Sequence, residues 1–249
     1  MWRLIIDDGP AHWQMALDEA LLILKAEGRI PNTIRLYVIK PSAVTIGYFQ
    51  KVSESVNLAY TEANKIPVVR RITGGGAVLH DQDGEVTYCV AVSSKDVPQS
   101  ILDSYRVICS GIVETLKLFG LKAEFAPVND VLVGGKKISG SAQARRPGAV
   151  LQHGTLMYNT DLELLSRSLA VPKEKLADHG VRSITERVTT ISRALGREVS
   201  KEEVMEFMKL GFERALRIRL EEGKLSKEEI NLAKKLEEKY KSQEWNFRR

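Results

Sequence analysis

The sequence predicts an α+β fold, with largely antiparallel sheets and helices packed on them, from three observations. β-branched runs separated by turn signals recur up to about Asn159, two long segments of helical apolar period interrupt them, and the pattern from about Asp161 onward is helical. No repeat, low-complexity tract or Pro/Gly-rich linker divides the 249 residues, so the chain reads as one domain, residues 1–249, with a helical cover from about 161.

The first helix is predicted between about His12 and Glu27, because Trp13, Ala16, Leu17, Ala20, Leu21 and Leu24 share a face and Gly28 follows as a stop. TIRLYVI (33–39) and SAVTIGY (42–48) flank the turn Lys40-Pro41; VVRRITG (68–74) follows, then VTYCVAV (86–92) after Asp83-Gly84. Together these runs read as one early sheet. A second helix from about Ile101 to Phe119 turns Tyr105, Ile108, Ile112, Leu116 and Phe119 inward and ends at Gly120. DVLV (130–133) and KKISGSAQA (136–144) flank Gly134-Gly135, a two-residue hairpin signal, and AVLQHGTLMYN (149–159) adds a strand. In the helical third, capping boxes are expected at Ser200/Glu203 and Ser226/Glu229.

Composition excludes several function classes. The net charge is +5, but much of it is Lys and Glu intermixed at helical spacing in the tail, KLSKEEINLAKKLEEKYK. That is a solvated helix face, so no nucleic acid is expected as a partner. Cys89 and Cys109 each sit in an apolar run, where free thiols pack as small hydrophobes. His12, His80, His153 and His179 are scattered without zinc spacing, so no metal site is expected. The start runs into Asp7-Asp8 without a basic and apolar leader, and no apolar run approaches a membrane span. The expectation is a cytoplasmic protein with no membrane partner.

Chemistry concentrates in three segments. In Arg70-Arg71-Ile72-Thr73-Gly74-Gly75-Gly76-Ala77-Val78, two guanidinium groups meet three consecutive glycines after an apolar strand. Glycines let backbone N–H groups approach an anion, and arginine adds charge-assisted donors; read blandly, the same residues form a glycine turn with surface arginines. The spacing is neither a P-loop nor a dinucleotide fingerprint. Asn129-Asp130 precedes the Gly134-Gly135 hairpin and Lys136-Lys137, whose side chains must face opposite ways, so that one lysine points inward. In Gln152-His153-Gly154-Thr155, a histidine interrupts an apolar strand; taken alone it is a hydrogen-bonded core residue.

In this order, WRLIIDDGPAHWQMALDEALL, SAVTIGYFQ, RRITGGGAVLHD, KKISGSAQ, LQHGTLMYNTD and YKSQEWNFRR span nearly the whole chain. They resemble the lipoate-protein ligase and octanoyltransferase superfamily, which is itself similar to the catalytic domain of biotin-protein ligases. The resemblance implies a cleft in which the glycine-rich segment and the lysine hairpin hold an acyl-adenylate. By matching motifs, Arg71, Gly74, Gly75, Gly76 and Val78 line the lipoyl and phosphate region, with His80 and Asp130 near it. Ser139, Gly140 and His153 complete the binding set, and Lys137 is the catalytic lysine. ATP with Mg2+ and lipoate are the implied ligands. Lipoyl-acceptor domains, of the glycine cleavage H protein or a 2-oxoacid dehydrogenase E2, are the implied partners.

Within that superfamily the sequence favours the ATP-dependent ligases, which attach lipoate or octanoate to an acceptor lysine through acyl-AMP. The alternatives are an octanoyltransferase drawing on acyl carrier protein and a noncatalytic lipoyl-binding protein. The transferases need a nucleophilic cysteine just before the lysine hairpin, and AEFAPVNDVLVGGKK has none there. Asp81-Gln82-Asp83-Gly84-Glu85 stands where ligases carry a glycine-asparagine step, so adenine contacts are not transferred. Longer ligases continue past EWNF into a small accessory domain, and the sequence given ends at Arg249, so a separate accessory subunit is expected.

Overall fold

The computed structural model describes residues 2–170 and 183–248. In chain order the strands are β1 (Trp2–Gly9), β2 (Asn32–Ile39), β3 (Ala43–Ile46), β4 (Val68–Arg70), β5 (Val78–His80), β6 (Glu85–Ser93), β7 (Ala123–Ala126), β8 (Asp130–Val133), β9 (Lys136–Arg146), β10 (Ala149–Met157) and β11 (Leu220–Glu222). Eight form one sheet in the order β11-β1-β2-β6-β10-β9-β8-β7, and three form another in the order β4-β3-β5. Within the large sheet β1 is parallel to β2 and to β11, and every other neighbour is antiparallel. Parallel neighbours need a crossover, and the helix α1 (Ala11–Ala26) supplies it between β1 and β2.

The one early sheet expected from the sequence is therefore two. Residues 33–39 and 86–92 join the large sheet, whereas 43–46 and 68–70 form the small one. The break falls at Pro41, which has no N–H to continue a ladder, while Lys40 N donates to Gly9 O at 2.8 Å. Strands β1, β5 and β11 lay outside the sequence reading. In β1 only Leu4 and Ile5 are buried and the next residue, Ile6, is exposed, so the period-2 signal is absent. The three-residue β11 lies in the third read as wholly helical and is held by pairing with β1. The helical reading of residues 171–182, with His179, lies outside the described residues.

The large sheet is covered on both faces, as its alternation requires. Ile34, Leu36, Val86, Tyr88 and Val90 pack against α4 (Ile101–Leu118) and the C-terminal-third helix at Lys201–Leu216. Tyr37, Ile39, Cys89 and Ala91 point the other way, toward α1. Between α1 and the tail, Leu17, Leu21 and Leu24 meet Ala233 of the helix at Lys227–Lys241. Hence α1 is buried on two sides rather than along the one stripe expected, and even Asp18 and Glu19 are inside. Gly28 and Gly120 end the two long helices at φ +71° and +78°, where glycine avoids the Cβ penalty. The remaining short helices are α2 (Val52–Ser55), α3 (Leu58–Ala63), α5 (Leu162–Ser168), α6 (Ile184–Arg187) and α7 (Ile191–Leu195). The helices at Lys201–Leu216, Lys227–Lys241 and Gln243–Asn246 are α8, α9 and α10.

At α9 the capping box of Ser226 and Glu229 forms in full. At α8 only its first half forms: Ser200 accepts from Glu203 N, but the Glu203 carboxylate turns to Arg197. No described helix is long and apolar enough to cross a membrane.

The α4–α8 contact depends on two glycines. A Cβ on Gly111 would lie 2.3 Å from Phe212 Cδ1, and one on Gly211 would lie 2.2 Å from Thr115 Oγ1 and 2.7 Å from Gly111 O. Gly211→Val is expected to lower unfolding free energy by about 1–3 kcal/mol through overpacking, read from urea denaturation. Unchanged stability would show that the helices can separate without loss.

Candidate active site

A cavity of about 220 Å³ opens between the small sheet, the middle of β10 and the β8–β9 hairpin. Nine of the eleven sequence-predicted site residues line it: Arg71, Gly75, Gly76, Val78, His80, Asp130, Lys137, Gly140 and His153. Two do not. Gly74 contributes instead a carbonyl that accepts from Arg71 Nη2 at 2.6 Å. Ser139 is fully buried off the cavity wall, its Oγ without a hydrogen-bond partner among the described residues. A register shift beside it, between Val131 and Leu132, breaks the simple alternation that would have turned it inward.

The hairpin separates the two lysines as strand geometry demands. Gly134 and Gly135 take positive φ, +57° and +74°, the pairing of a type I′ turn. Lys136 is exposed, whereas Lys137 is half-buried on the cavity wall with Nζ 2.7 Å from Asp130 Oδ1. This is an ion pair by distance; no described donor meets that oxygen at a hydrogen-bonding angle. Gly140 leaves room for the lysine, since a Cβ there would sit 2.5 Å from Nζ.

Adjacent residues of the glycine-rich segment likewise diverge. Arg70 points away from the cavity, and its Nη1 donates to Gly47 O, Tyr48 O and Gln50 O at 3.0, 3.0 and 2.7 Å. Its other nitrogens reach Trp245 O and Asn246 O at 3.2 and 3.0 Å, fastening the EWNF segment to the loop after β3. Arg71 faces the cavity. It donates to Gly74 O and Gly76 O at 2.6 and 2.8 Å, to Thr73 Oγ1 at 2.9 Å and to Thr45 Oγ1 at 3.3 Å. All these acceptors are neutral, no described carboxylate pairs with the guanidinium, and burial pulls its pKa down to about 10. It remains a cation at neutral pH and faces the cavity with no described carboxylate in contact.

Both predicted histidines are buried and bonded at both nitrogens. His153 places Nδ1 2.8 Å from Asp18 Oδ2 and Nε2 2.7 Å from Thr73 Oγ1. His80 places Nδ1 3.1 Å from Glu85 Oε2 and from Thr87 Oγ1, and Nε2 2.9 Å from Thr45 Oγ1. Burial lowers the His153 pKa, outweighing the hydrogen bond and charge of Asp18, and leaves it neutral. Burial would raise Asp18, yet the His153 hydrogen bond and Arg35 hold it below the usual carboxylate range. Burial pushes Glu85 up, against the pull of His80 and Thr87.

Sequence reasoning missed Thr45, Thr87, Ser141 and Arg187 on the wall, and Asp18, Thr73 and Glu85 behind it. One signal was available: Arg35 interrupts the apolar run of β2, and a buried charge must find a partner. Both cysteines are fully buried, as expected, and neither lines the cavity. Cys109 Sγ lies behind Ser141, 3.3 Å from its Oγ. Burial pushes both thiols up, Cys89 most strongly because the Asp18 carboxylate adds to it.

The α+β fold sets a lysine and an arginine without a described carboxylate partner around a cavity that also carries apolar side chains. The chain belongs to the lipoyl protein ligase A/B catalytic domain family, which it matches over residues 10–213. It is a catalytic domain for lipoate or octanoate transfer. Octanoyltransferase LipM of Kyrpidia tusciae is 38% identical over all of this chain and 99% of its own length. A bi-partite lipoate protein ligase of Thermoplasma acidophilum, solved in a study that included its E2 lipoyl domain, is 35% identical. It superposes with a TM-score of 0.86 over 98% of this chain and 95% of its own. A lipoate-protein ligase A solved with ATP is 34% identical, with a TM-score of 0.86 over 98% of both chains.

The position of the glycine-rich turn generates a prediction. A Cβ on Gly47 would lie 2.1 Å from Gly75 O, and backbone cannot yield as a side-chain tip can. Gly47→Ala should therefore move the turn and the carbonyls that hold Arg71. Acyl transfer to an acceptor domain is expected to fall on the order of 100-fold, the usual cost of a misplacement of about 1 Å. Activity near wild type, measured by mass spectrometry of the intact acceptor, would show that Arg71 does not depend on this contact.

Proposed function

We propose that the chain is an ATP-dependent ligase that joins lipoate, or octanoate, to one lysine of a lipoyl-acceptor domain through an acyl-AMP intermediate. The placement of the thiols carries this reading. Transfer through an enzyme thioester needs a nucleophilic cysteine at the reacting carbon, and the chain's two cysteines are both buried off the cavity wall. Their raised pKa also keeps them from the reactive thiolate. A free carboxylate must then be activated another way. Phosphoryl transfer asks chiefly for positioning and cations, and the described cavity wall presents Arg71, Lys137 and Arg187 against one carboxylate, Asp130. Similarity to a ligase solved with ATP supports the nucleotide.

In the first step a carboxylate oxygen attacks the α-phosphorus of ATP and pyrophosphate leaves. In the second, the neutral amine of the acceptor lysine attacks the acyl carbon, AMP leaves and the amine proton passes to solvent. Lys137 stabilises the charge that gathers on phosphate and acyl oxygens in both steps, and Arg71 holds the acyl head. Magnesium accompanying the nucleotide would neutralise phosphate charge, and Asp130, the carboxylate on the described cavity wall, would hold it. The wall beyond these groups, with Val78, Leu79, Met157 and Val188, is apolar and suits an aliphatic chain. The acceptor is a lipoyl domain of a glycine cleavage H protein or of a 2-oxoacid dehydrogenase E2. Similarity to a bi-partite ligase supports a small second subunit as a further partner.

A second reading, octanoyl transfer from acyl carrier protein, is favoured by the similarity to an octanoyltransferase. The two separate in one assay, intact-mass analysis of an acceptor domain given lipoate with Mg-ATP or octanoyl carrier protein, each with and without a small accessory chain. The ligase reading expects modification from the free acid and ATP, retained in Cys89→Ser/Cys109→Ser apart from packing losses of about 1 kcal/mol per site. Lys137→Ala should lose on the order of 100-fold or more, and Lys136→Ala little. Modification only from the carrier protein, or an acyl-thioester trapped on either cysteine, would transfer the chain to the second reading.

A further inference from the structure

We propose that Asp18 and Glu85, each acting through a histidine and a threonine, are positioning residues that aim Arg71 from two sides while leaving its charge free for an anionic substrate. The inference rests on the reading that the cavity receives an acyl carboxylate.

Two relays of the same chemical order converge on the guanidinium. One runs from Asp18 Oδ2 to His153 Nδ1, from His153 Nε2 to Thr73 Oγ1, and from Thr73 Oγ1 to Arg71 Nε, at 2.8, 2.7 and 2.9 Å. The other runs from Glu85 Oε2 to His80 Nδ1, from His80 Nε2 to Thr45 Oγ1, and from Thr45 Oγ1 to Arg71 Nη1, at 3.1, 2.9 and 3.3 Å. They leave from different elements, α1 and β6, and reach different nitrogens.

Hydrogen-bond chemistry narrows the proton positions. A guanidinium only donates, so each threonine oxygen receives from Arg71, which leaves its own proton free to point to a histidine Nε2. A carboxylate only accepts, so each imidazole carries its proton on Nδ1 and donates outward. The relays therefore need the Nδ1–H tautomer at both histidines, with Nε2 accepting from threonine. Glu85 is also met by the Thr87 hydroxyl at 2.9 Å, and Asp18 by Arg35 and Tyr37. A carboxylate touching Arg71 would hold it equally well but would cancel its charge. Two neutral links fix the direction and leave the charge.

The test reads proton positions and charge discrimination separately. A long-range 1H–15N spectrum of the imidazoles at neutral pH should show Nδ1–H for both His80 and His153, and Glu85→Met should shift His80 toward Nε2–H. A histidine found as Nε2–H in wild type, or an unmoved His80 in the variant, overturns the corresponding relay. Thr73→Val and Thr45→Val, nearly isosteric, should each weaken lipoate binding about tenfold, leave neutral lipoamide within about twofold, and be rescued by serine. Equal loss of both ligands would reduce the threonines to packing, and no loss would overturn the positioning role; thermal midpoints confirm that each variant folds. A wild type that binds lipoate and lipoamide alike, with both tautomers as stated, would overturn the functional reading and the anion role while the relays stand.

Discussion

The site depends on one dry carboxylate. Asp18 is 1% exposed, yet its two oxygens serve Arg35 at 2.5 Å, Tyr37 at 2.9 Å and His153 at 2.8 Å. Burying an ion is tolerated only where partners replace the lost water. Here the partners come from β2 and β10 while the carboxylate comes from α1, so satisfying it locks that helix to the middle of the large sheet. Arg35 is shared with Asp7 at 3.0 Å and stacks over the Tyr37 ring, so burial works against its charge but the two carboxylates outweigh it. Such a network is costly to leave half-made, which gives the helix, the sheet and the His153 ring one mutual arrangement.

From that anchor the geometry passes outward through places where backbone meets backbone. His153 fixes Thr73, which opens the glycine-rich turn, and Gly47 lets that turn approach β3. A Cβ on Gly154 would sit 2.7 Å from Gly140 O, so the two strands that carry His153 and Lys137 share a close crossing as well. The parallel bridge between Lys137 and Val188, with Thr189 N donating to Lys137 O at 2.9 Å, ties the lysine strand to the segment that carries Arg187. Cations contributed by distant parts of the chain thereby face one small volume. In a cavity with apolar sides their field is screened less than in water, so placement rather than number of charges sets what the wall attracts.

Local chemistry was legible in the sequence, and its wiring was not. The long helices, the Gly134-Gly135 hairpin and the opposed faces of Lys136 and Lys137 follow from periodicity and turn chemistry, which act within a few residues. The two-sheet division and β11 were missed because strand pairing is decided by partners far away in sequence. Glycine and lysine motifs brought most of the wall to notice. Asp18, Glu85, Thr45 and Thr73 escaped, although Thr73 and Glu85 stand within quoted segments, because no local pattern names their partners, and their meaning appears only when 135 residues of separation, as between Asp18 and His153, close to a hydrogen bond. Ser139 shows the converse: a motif neighbour is not a wall residue when a bulge rotates the strand.

Overall likeness does not choose between free-acid activation and thioester exchange, since an octanoyltransferase and two ligases resemble this chain at 34–38% identity. The choice falls to what a wall can do. An acyl thioester arrives already activated, so a protein receiving one needs a nucleophile or an open acceptor and has no polyphosphate to neutralise. A protein that activates the acid itself must hold a carboxylate beside a polyanion, against their mutual repulsion. Among the described residues the cavity wall carries no thiol, and Arg71, Lys137 and Arg187 outnumber Asp130 by two charges. No described carboxylate touches Arg71, although two buried histidines and two buried carboxylates stand in the relays that lead to it. That arrangement supports the proposed ligase reading, since bringing anions together is the task that adenylation would set.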